Sequence, residues 1–542
     1  MCANVPPPCT PTRGPRLSSP PRRAASLVAI GILASRVFGL VRQRIIAHYL
    51  GQSTFAADAF YAAFRIPNFL QNLFGEGVLS ASMIPEYTRL VAAGRTKEAR
   101  HLAGAIGGLL GVLVLTIVAL GVTFAPWLVD AIVPGFEGPR RELAVTLVRI
   151  LFPGVGTLVF SAWCLAILNS HRQFLLSYTA PVIWNVAIIV ATLLRRDAAS
   201  AEQLVIWTAW GAVVGSVLQF LVQVPPVLRA TGGVGLSLDT RDERVRKVLG
   251  NFGPVFLSRG VVQISGFIDA MIASVLPLGA VAVISNTQTL YLLPVSLFAA
   301  SVAAAELPEL SEVAGDTSRF DALRRRIVSG SERIAFFIVP SAVVFLALGH
   351  LVAGIVLQSG RFSRADSYWV WATLAGSSVG MLAGAVGRLL TSSFYALNDT
   401  RTPLRFAVVR IVLTLVLGYA AAVWLPTWLG FDARWGTAGL TASAGVAGWV
   451  EFVLLRRALT QRLGTFAMPR GHVPKLWLAA VSAAGVAWAL LWLLHPETLG
   501  GLLRTLAAIG ILGAFGATYL LLTAMLQVGE AQALVGRVFR RA

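Results

Sequence analysis

The sequence predicts an all-α polytopic membrane protein of about 14 transmembrane helices: two six-helix lobes in parallel repeat around a central cavity, plus two C-terminal helices. Three observations predict it. Of 542 residues, 56% are hydrophobic and only 13% charged, where a soluble chain carries about 25% charge. Apolar runs of ~20 residues, the length that crosses a bilayer core, recur along the whole chain. A pattern in the first half returns in the second. With a mean hydropathy of +0.73, the runs are too many and too long for two layers of helix around one soluble core.

Residues 1–23, ending PPPCTPTRGPRLSSPPRR, read as a disordered cytoplasmic tail. A cleaved leader fits poorly, because Arg36 and Arg42 interrupt the first apolar run and no small-residue cleavage site follows. The first lobe, 24–229, holds expected spans at 24–48, 54–74, 103–129, 143–168, 176–195 and 203–228. The second, 230–460, holds spans at 247–275, 281–307, 334–358, 367–396, 404–428 and 435–455. Residues 461–542 add 474–494 and 503–527 and a cytoplasmic C-terminal tail. The net charge is +20, which on a soluble protein would suggest nucleic acid. Here the Lys and Arg lie mainly in short loops: about 29 on one side against about 8 on the other, which places both termini in the cytoplasm. The basic stretch near 317–333, RFDALRRRIVSGSER from Arg319, is expected to lie as an amphipathic helix on anionic lipid.

The repeat sets Ile46–Gly51 (IAHYLG) beside Ile272–Gly279 (IASVLPLG), each followed by a proline, Pro67 and Pro294. LNSHR at 168–172 matches LNDTR at 397–401. Both pairs are offset by nearly the same length, six spans, so the halves share one orientation and a cavity is expected between them.

Charges within spans carry the chemistry, since a cation at mid-bilayer costs roughly 2.5–3.5 kcal/mol and persists where it faces a cavity or a partner. The first lobe holds Arg36, Arg42, Arg44, Asp58, Arg65 and Arg149; the second holds Arg259, Asp269, Glu306, Arg388 and Arg410. The cationic excess of the first lobe suits an anionic substrate, and the planar fork of arginine suits phosphate. Arg44, Arg388 and Arg410 can equally snorkel toward an interface. Asp58 and Arg65 share a helical face about two turns apart, and Gly39 can swing Arg36 and Arg42 toward one cavity. Asp269 is an isolated carboxylate, expected either to bind a coupling cation with Thr414 or to pair with Arg259. Glu306, beside Pro308, reads as an interfacial cap.

Ser35–Pro85, SRVFGLVRQRIIAHYLGQSTFAADAFYAAFRIPNFLQNLFGEGVLSASMIP, resembles the signature of the MurJ (MviN) family of lipid II flippases, in the multidrug/oligosaccharidyl-lipid/polysaccharide exporter superfamily. The likeness continues through RILFP (149–153), AILN (166–169), AP (180–181), ASVLPLG (273–279), LP (307–308), SGRF (359–362) and FYALNDTRTP (394–403), covering about residues 30–460. It implies fourteen helices in two lobes about a V-shaped cavity, alternating access, and export of an undecaprenyl-diphosphate-linked disaccharide-pentapeptide, lipid II. It places Arg36 and Arg42 on the diphosphate, with Asp58 and Arg65 at further charged family positions. Gln71 and Thr289 stand where the family often has arginine, and Arg65, Arg44 or Arg259 is expected to supply the missing charge.

Other classes fit less well. A drug-cation exporter of the same superfamily needs acidic cavity residues, whereas a flippase of another polyprenyl-diphosphate-linked polysaccharide would keep the cationic cavity. A membrane glycosyltransferase or phosphatase needs a clustered site in a sizeable loop. The three cysteines, Cys2, Cys9 and Cys164, form no metal pair, and the sequence has no HExxH and no GxxxxGK[ST]. The expected partners are lipid II and membrane lipids, with no nucleic acid, no metal and no cofactor, and a monomer as the working unit. The energy source is a coupled monovalent cation or the membrane potential.

Overall fold

The computed structural model describes residues 22–79, 82–299, 320–397, 399–466, 469, 471–496 and 499–539. Among them every regular element is helical, the form in which a lone segment satisfies all its backbone groups in lipid. The first lobe contains α1 (Arg22–Leu50), α2 (Phe55–Gln71), α3 (Ile84–Ala92), α4 (Thr96–Thr123), α5 (Ala125–Ile132), α6 (Gly138–Ser170), α7 (Phe174–Leu194) and α8 (Ala201–Thr231). The second contains α9 (Glu243–Ser274), α10 (Ala280–Pro294), α11 (Phe320–Leu357), α12 (Arg364–Ser378), α13 (Met381–Ala396), α14 (Arg401–Tyr419) and α15 (Gly436–Leu463). Then come α16 (His472–Leu494), α17 (Gly501–Met525) and α18 (Gly529–Phe539). Polar side chains start several of these helices. The Thr54 hydroxyl accepts from the Ala57 N–H at 3.1 Å, and Ser363 with Asp366 forms a reciprocal capping box.

Nine helices among the described residues are long and apolar enough to cross a membrane, or ten if α12 and α13, bent by 47° at their junction, form one broken span. The other expected spans fall on α1, α2, α7 and α9. Arginines interrupt the apolar stretch of α1, α2 has 17 residues, and the apolar part of α7 is the short Tyr178–Leu194.

The repeat is visible in the backbone. α2 contains Pro67 and passes into a π-helix, Asn72–Leu79; α10 ends on Pro294 and passes into a π-helix, Val295–Ala299. A proline removes one intrahelical donor, and the wider turn absorbs the mismatch. The repeated glycines, Gly51 and Gly279, have φ of +74° and +95°, a region that residues with a Cβ rarely enter.

The stretch expected to lie flat near 317–333 behaves differently. Its described part, from Phe320, runs unbroken into α11, a helix of 38 residues and so about 57 Å long. Leu323, Ile327 and Ile334 are buried in the core of the second lobe. The apolar face is taken by protein, so it does not rest on lipid. Residues 317–319 and Glu306 lie outside the described residues.

Apolar packing divides the molecule in three. One cluster fills the second lobe and includes α16 and α17, which pack on α11; the Tyr519 hydroxyl donates to the Phe336 carbonyl at 2.7 Å. A second joins α2, α6 and α7 to Ile268–Leu276, Ala280–Ile284 and Trp369, and so spans both lobes. A third holds α4 and α6 with Val245 and Val248 of α9, so α9 starts against the first lobe.

Candidate functional site

The lobes meet where the loops 51–54, 133–137, 275–279 and 358–363 gather. Asp58, in the first turn of α2, is wholly buried there. Its carboxylate accepts from Arg140 Nη2 at 2.5 Å, from the Gly279 N–H at 2.8 Å and from the Ala282 N–H at 2.9 Å. An acid of one lobe therefore caps the first turn of α10 in the other, where unpaired N–H groups and the helix dipole favour an anion. Beside it, Gln43 of α1 donates to Tyr61 Oη at 2.9 Å and to Asn286 Oδ1 at 2.5 Å, and Asn286 donates to Gln52 Oε1 at 3.1 Å. The Arg361 N–H donates to His48 O at 2.8 Å, and Ser53 Oγ to Asp366 Oδ1 at 3.0 Å. All of these bonds except Gln43–Tyr61 join residues more than 80 positions apart in sequence.

Deeper in the same α1–α2 pair the pattern reverses. The Arg42 guanidinium lies 5.1 Å from the centroid of Phe64 and 5.5 Å from that of Trp184, two rings stacked at 5.3 Å. Its Nε is buried with no hydrogen-bond partner. Arg65 donates from Nη1 to Gly266 O at 2.5 Å, while its Nε and Nη2 are buried and unpartnered. Across from it, Asp269 of α9 accepts from Gln288 Nε2 at 3.5 Å through Oδ2, and its Oδ1 is buried without a partner. The charges of Arg65 and Arg410 both act on Asp269. Arg410 Nη1 lies 3.0 Å from Glu451 Oε2. The charges of Arg388 and Arg410 also act on the Tyr291 hydroxyl of α10. A buried cation with spare donors is costly to a protein, and an anion that supplies acceptors removes the cost.

A family model described as "Lipid II flippase MurJ" matches residues 46–508. The chain belongs to the MurJ family. It is 29% identical over 519 residues, 93% of this chain and 96% of the relative, to a protein of Vibrio cholerae serotype O1 named as a probable lipid II flippase MurJ. It is 31% identical over 483 residues, 87% of this chain and 89% of the relative, to the lipid II flippase MurJ of Burkholderia cenocepacia. Among solved structures, the fold matches a lipid II flippase MurJ in an inward closed conformation, with a TM-score of 0.74 at 22% identity over 92% of this chain and 98% of that one. An inward-facing multidrug resistance MATE transporter of the MOP superfamily matches with a TM-score of 0.64 at 19% identity, over 82% of this chain and all of the other.

Within this MurJ-family fold the sequence-derived site residues separate. Arg42 and Arg65 are half-buried, with buried nitrogens that have no partner, whereas Arg36 is exposed on α1 with no partner among the described residues. Asp58 shares no bond with Arg65; its partner is Arg140, from the start of α6. Arg44 neither snorkels nor supplies a free cation. It donates from Nη1 to the carbonyls of Ile355 and Val356 at 2.5 and 3.1 Å, capping the C-terminal end of α11, where a cation suits the dipole. Arg259 lies on α9, and its side chain is outside the described residues. At position 289 the Thr hydroxyl bonds back to Ser285 O at 3.0 Å, on its own helix. Sequence reasoning passed over Gln43, Asn286 and Arg140. The first two are neutral amides inside apolar spans, a signal available in the sequence; Arg140 sat in a loop and carried none.

Proposed function

We propose that this chain flips lipid II from the cytoplasmic to the outer face of the inner membrane by alternating access, acting as a transporter and not as an enzyme. The observation that carries the proposal is the pair of half-buried arginines, Arg42 and Arg65, each with a buried, unpartnered nitrogen between apolar helices. A diphosphate supplies the acceptors they lack, and Arg36, exposed on the same helix as Arg42, meets it at the entrance. The names of the curated relatives support this reading over drug export or another polysaccharide lipid. The arginine-rich loops support an orientation with both termini in the cytoplasm. Lipid II and membrane lipids are the partners, and a single chain is the working unit. The lobe seam around Asp58 keeps the outer end shut until substrate is bound.

The drive belongs to the same proposal. Asp269, with one unpartnered oxygen, takes a coupled monovalent cation, or else the membrane potential acts on the cavity charge at ~2.3 kcal/mol per charge per 100 mV. The decisive experiment is complementation in cells depleted of their own flippase, with lipid II accessibility at the outer face as the readout. Growth without exposure of lipid II would refute the substrate. Sodium-independent, wild-type activity of Asp269→Asn would remove the coupled cation.

A further inference from the structure

Behind Arg42 the first lobe holds a column of three stacked rings, Phe60 and Phe64 of α2 and Trp184 of α7. The Phe60 and Phe64 centroids are 5.1 Å apart at 25°, and those of Phe64 and Trp184 are 5.3 Å apart at 7°. All three side chains are buried. The Arg42 guanidinium of α1 lies over the last two rings, 5.1 Å from the Phe64 centroid and 5.5 Å from that of Trp184. The far end of the column is tied to α8, where the Trp184 indole N–H donates to Ala212 O at 3.0 Å. Gly215 lets α8 come this close, since a Cβ there would stand 2.9 Å from Ala187 Cβ and 3.0 Å from Trp184 Cδ1. The face under Arg42 is therefore set by α2, α7 and α8, and not by the helix that carries the arginine.

How a cation is held decides what it can still bind. Arg140 is held by the Asp58 carboxylate, which takes a donor and offsets its charge. Arg42 makes no hydrogen bond or ion pair among the described residues. A ring face attracts a cation through its quadrupole within about 6 Å of the centroid, and tryptophan offers the strongest such face. It supplies no oxygen, so both the charge and the fork of N–H donors remain for a phosphate. A leucine at this place would also pack against Phe64, but would not attract the charge.

We propose that Trp184, stacked on Phe64, is a positioning residue: its ring face seats the Arg42 guanidinium so that the charge stays in place and uncancelled until the diphosphate arrives. The assignment rests on the reading of Arg42 as a diphosphate ligand, and the two can fail separately.

The full-length protein, purified in detergent, is titrated calorimetrically with farnesyl diphosphate, a soluble isoprenoid diphosphate. Arg42→Ala should weaken binding about tenfold or more. Trp184→Leu should weaken it about fivefold, whereas Trp184→Phe, which keeps a ring face but loses the bond to Ala212, should weaken it about twofold or less. A tryptophan that served packing alone would be hurt alike by both changes, so equal losses in the two variants would overturn the positioning role. In the Arg42→Ala background Trp184→Leu should cause no further loss; an undiminished additional loss there would also overturn it. Normal binding by Arg42→Ala would overturn the diphosphate reading and the seat with it. Weak binding by Arg42→Ala beside normal binding by Trp184→Leu would overturn the seat alone. Should Trp184→Leu fail to fold, tryptophans carrying one, two or three ring fluorines, placed at position 184 by nonsense suppression, keep the indole N–H and nearly the same size while weakening the ring face. Affinity that falls stepwise along that series supports the seat, and a flat series overturns it.

Discussion

Asp58 and Arg65 stand on one helix, two turns apart, the first wholly buried and the second half-buried with two buried nitrogens, yet their surroundings are opposite. Asp58 has three donors, one of them Arg140 and two from the first turn of α10. Arg65 has a single carbonyl and two buried nitrogens with nothing to bond. A buried charge whose partners are complete belongs to the architecture, because removing one member strands the others. A charge with buried atoms left unpartnered is open to an acceptor from outside the fold. The comparison separates the joint between lobes from the place proposed to receive an anion, along about 10 Å of one helix.

The largest effect should come from breaking the joint. Asp58→Ala strands Arg140 and the first turn of α10, and is expected to cost about 3–5 kcal/mol, the range for an orphaned buried partner. Thermal unfolding of the purified protein checks it. Arg140→Ala should cost less, since Asp58 keeps its two backbone donors, and the double variant should fall well short of the sum. Additive losses would show that the two residues do not act together.

Receiver residues should behave the other way round. Arg42→Ala is expected to abolish complementation while thermal stability stays within about 1 kcal/mol of wild type, because no hydrogen bond is lost. A melting curve that falls with growth would make Arg42 structural and erase the contrast with Asp58.

Arg65→Ala should be severely defective in lipid II exposure, and adding Gln71→Arg should partly restore it by returning a cation near the end of α2. A defect that Gln71→Arg leaves untouched would assign Arg65 to Asp269 instead of to substrate.

The smallest effect concerns the opposite end of the molecule. Glu86 of α3 accepts from Lys247 of α9 at 3.0 Å and from Arg89 at 2.5 Å. Burial alone would push its carboxyl up; the two cations outweigh that and hold it below the usual glutamate range. A depressed acid pKa adds stability that is present above the unfolded value, about 4.3, and is lost as pH falls through the lower folded value. Lys247 is well exposed, so the pair is worth about 1 kcal/mol or less. Hydrogen exchange at the start of α9 should quicken only in acid. Glu86→Gln should remove that pH dependence.

Much of the site was legible because membranes penalise charge wherever it falls. Arg42, Arg65 and Asp269 stand out in apolar runs by composition alone, and each has a buried side-chain atom without a hydrogen-bond partner. Helical phase alone gave no partners. It set Asp58 and Arg65 on one face, though Asp58 reaches residues 82, 221 and 224 positions away. Arg44 looked like one more cavity cation, and only the position of α11 shows its donors spent on two carbonyls.

The sequence by itself determined the membrane class, where most helices lie, the repeat with its matched prolines and glycines, and the family. These depend on hydropathy, on local backbone limits and on motifs, all carried by neighbouring residues. Tertiary structure alone decided which charges have their hydrogen bonds complete and which keep unpartnered atoms. Hydrogen-bond completion depends on partners within about 3 Å, and folding brings those together from parts of the chain hundreds of residues apart.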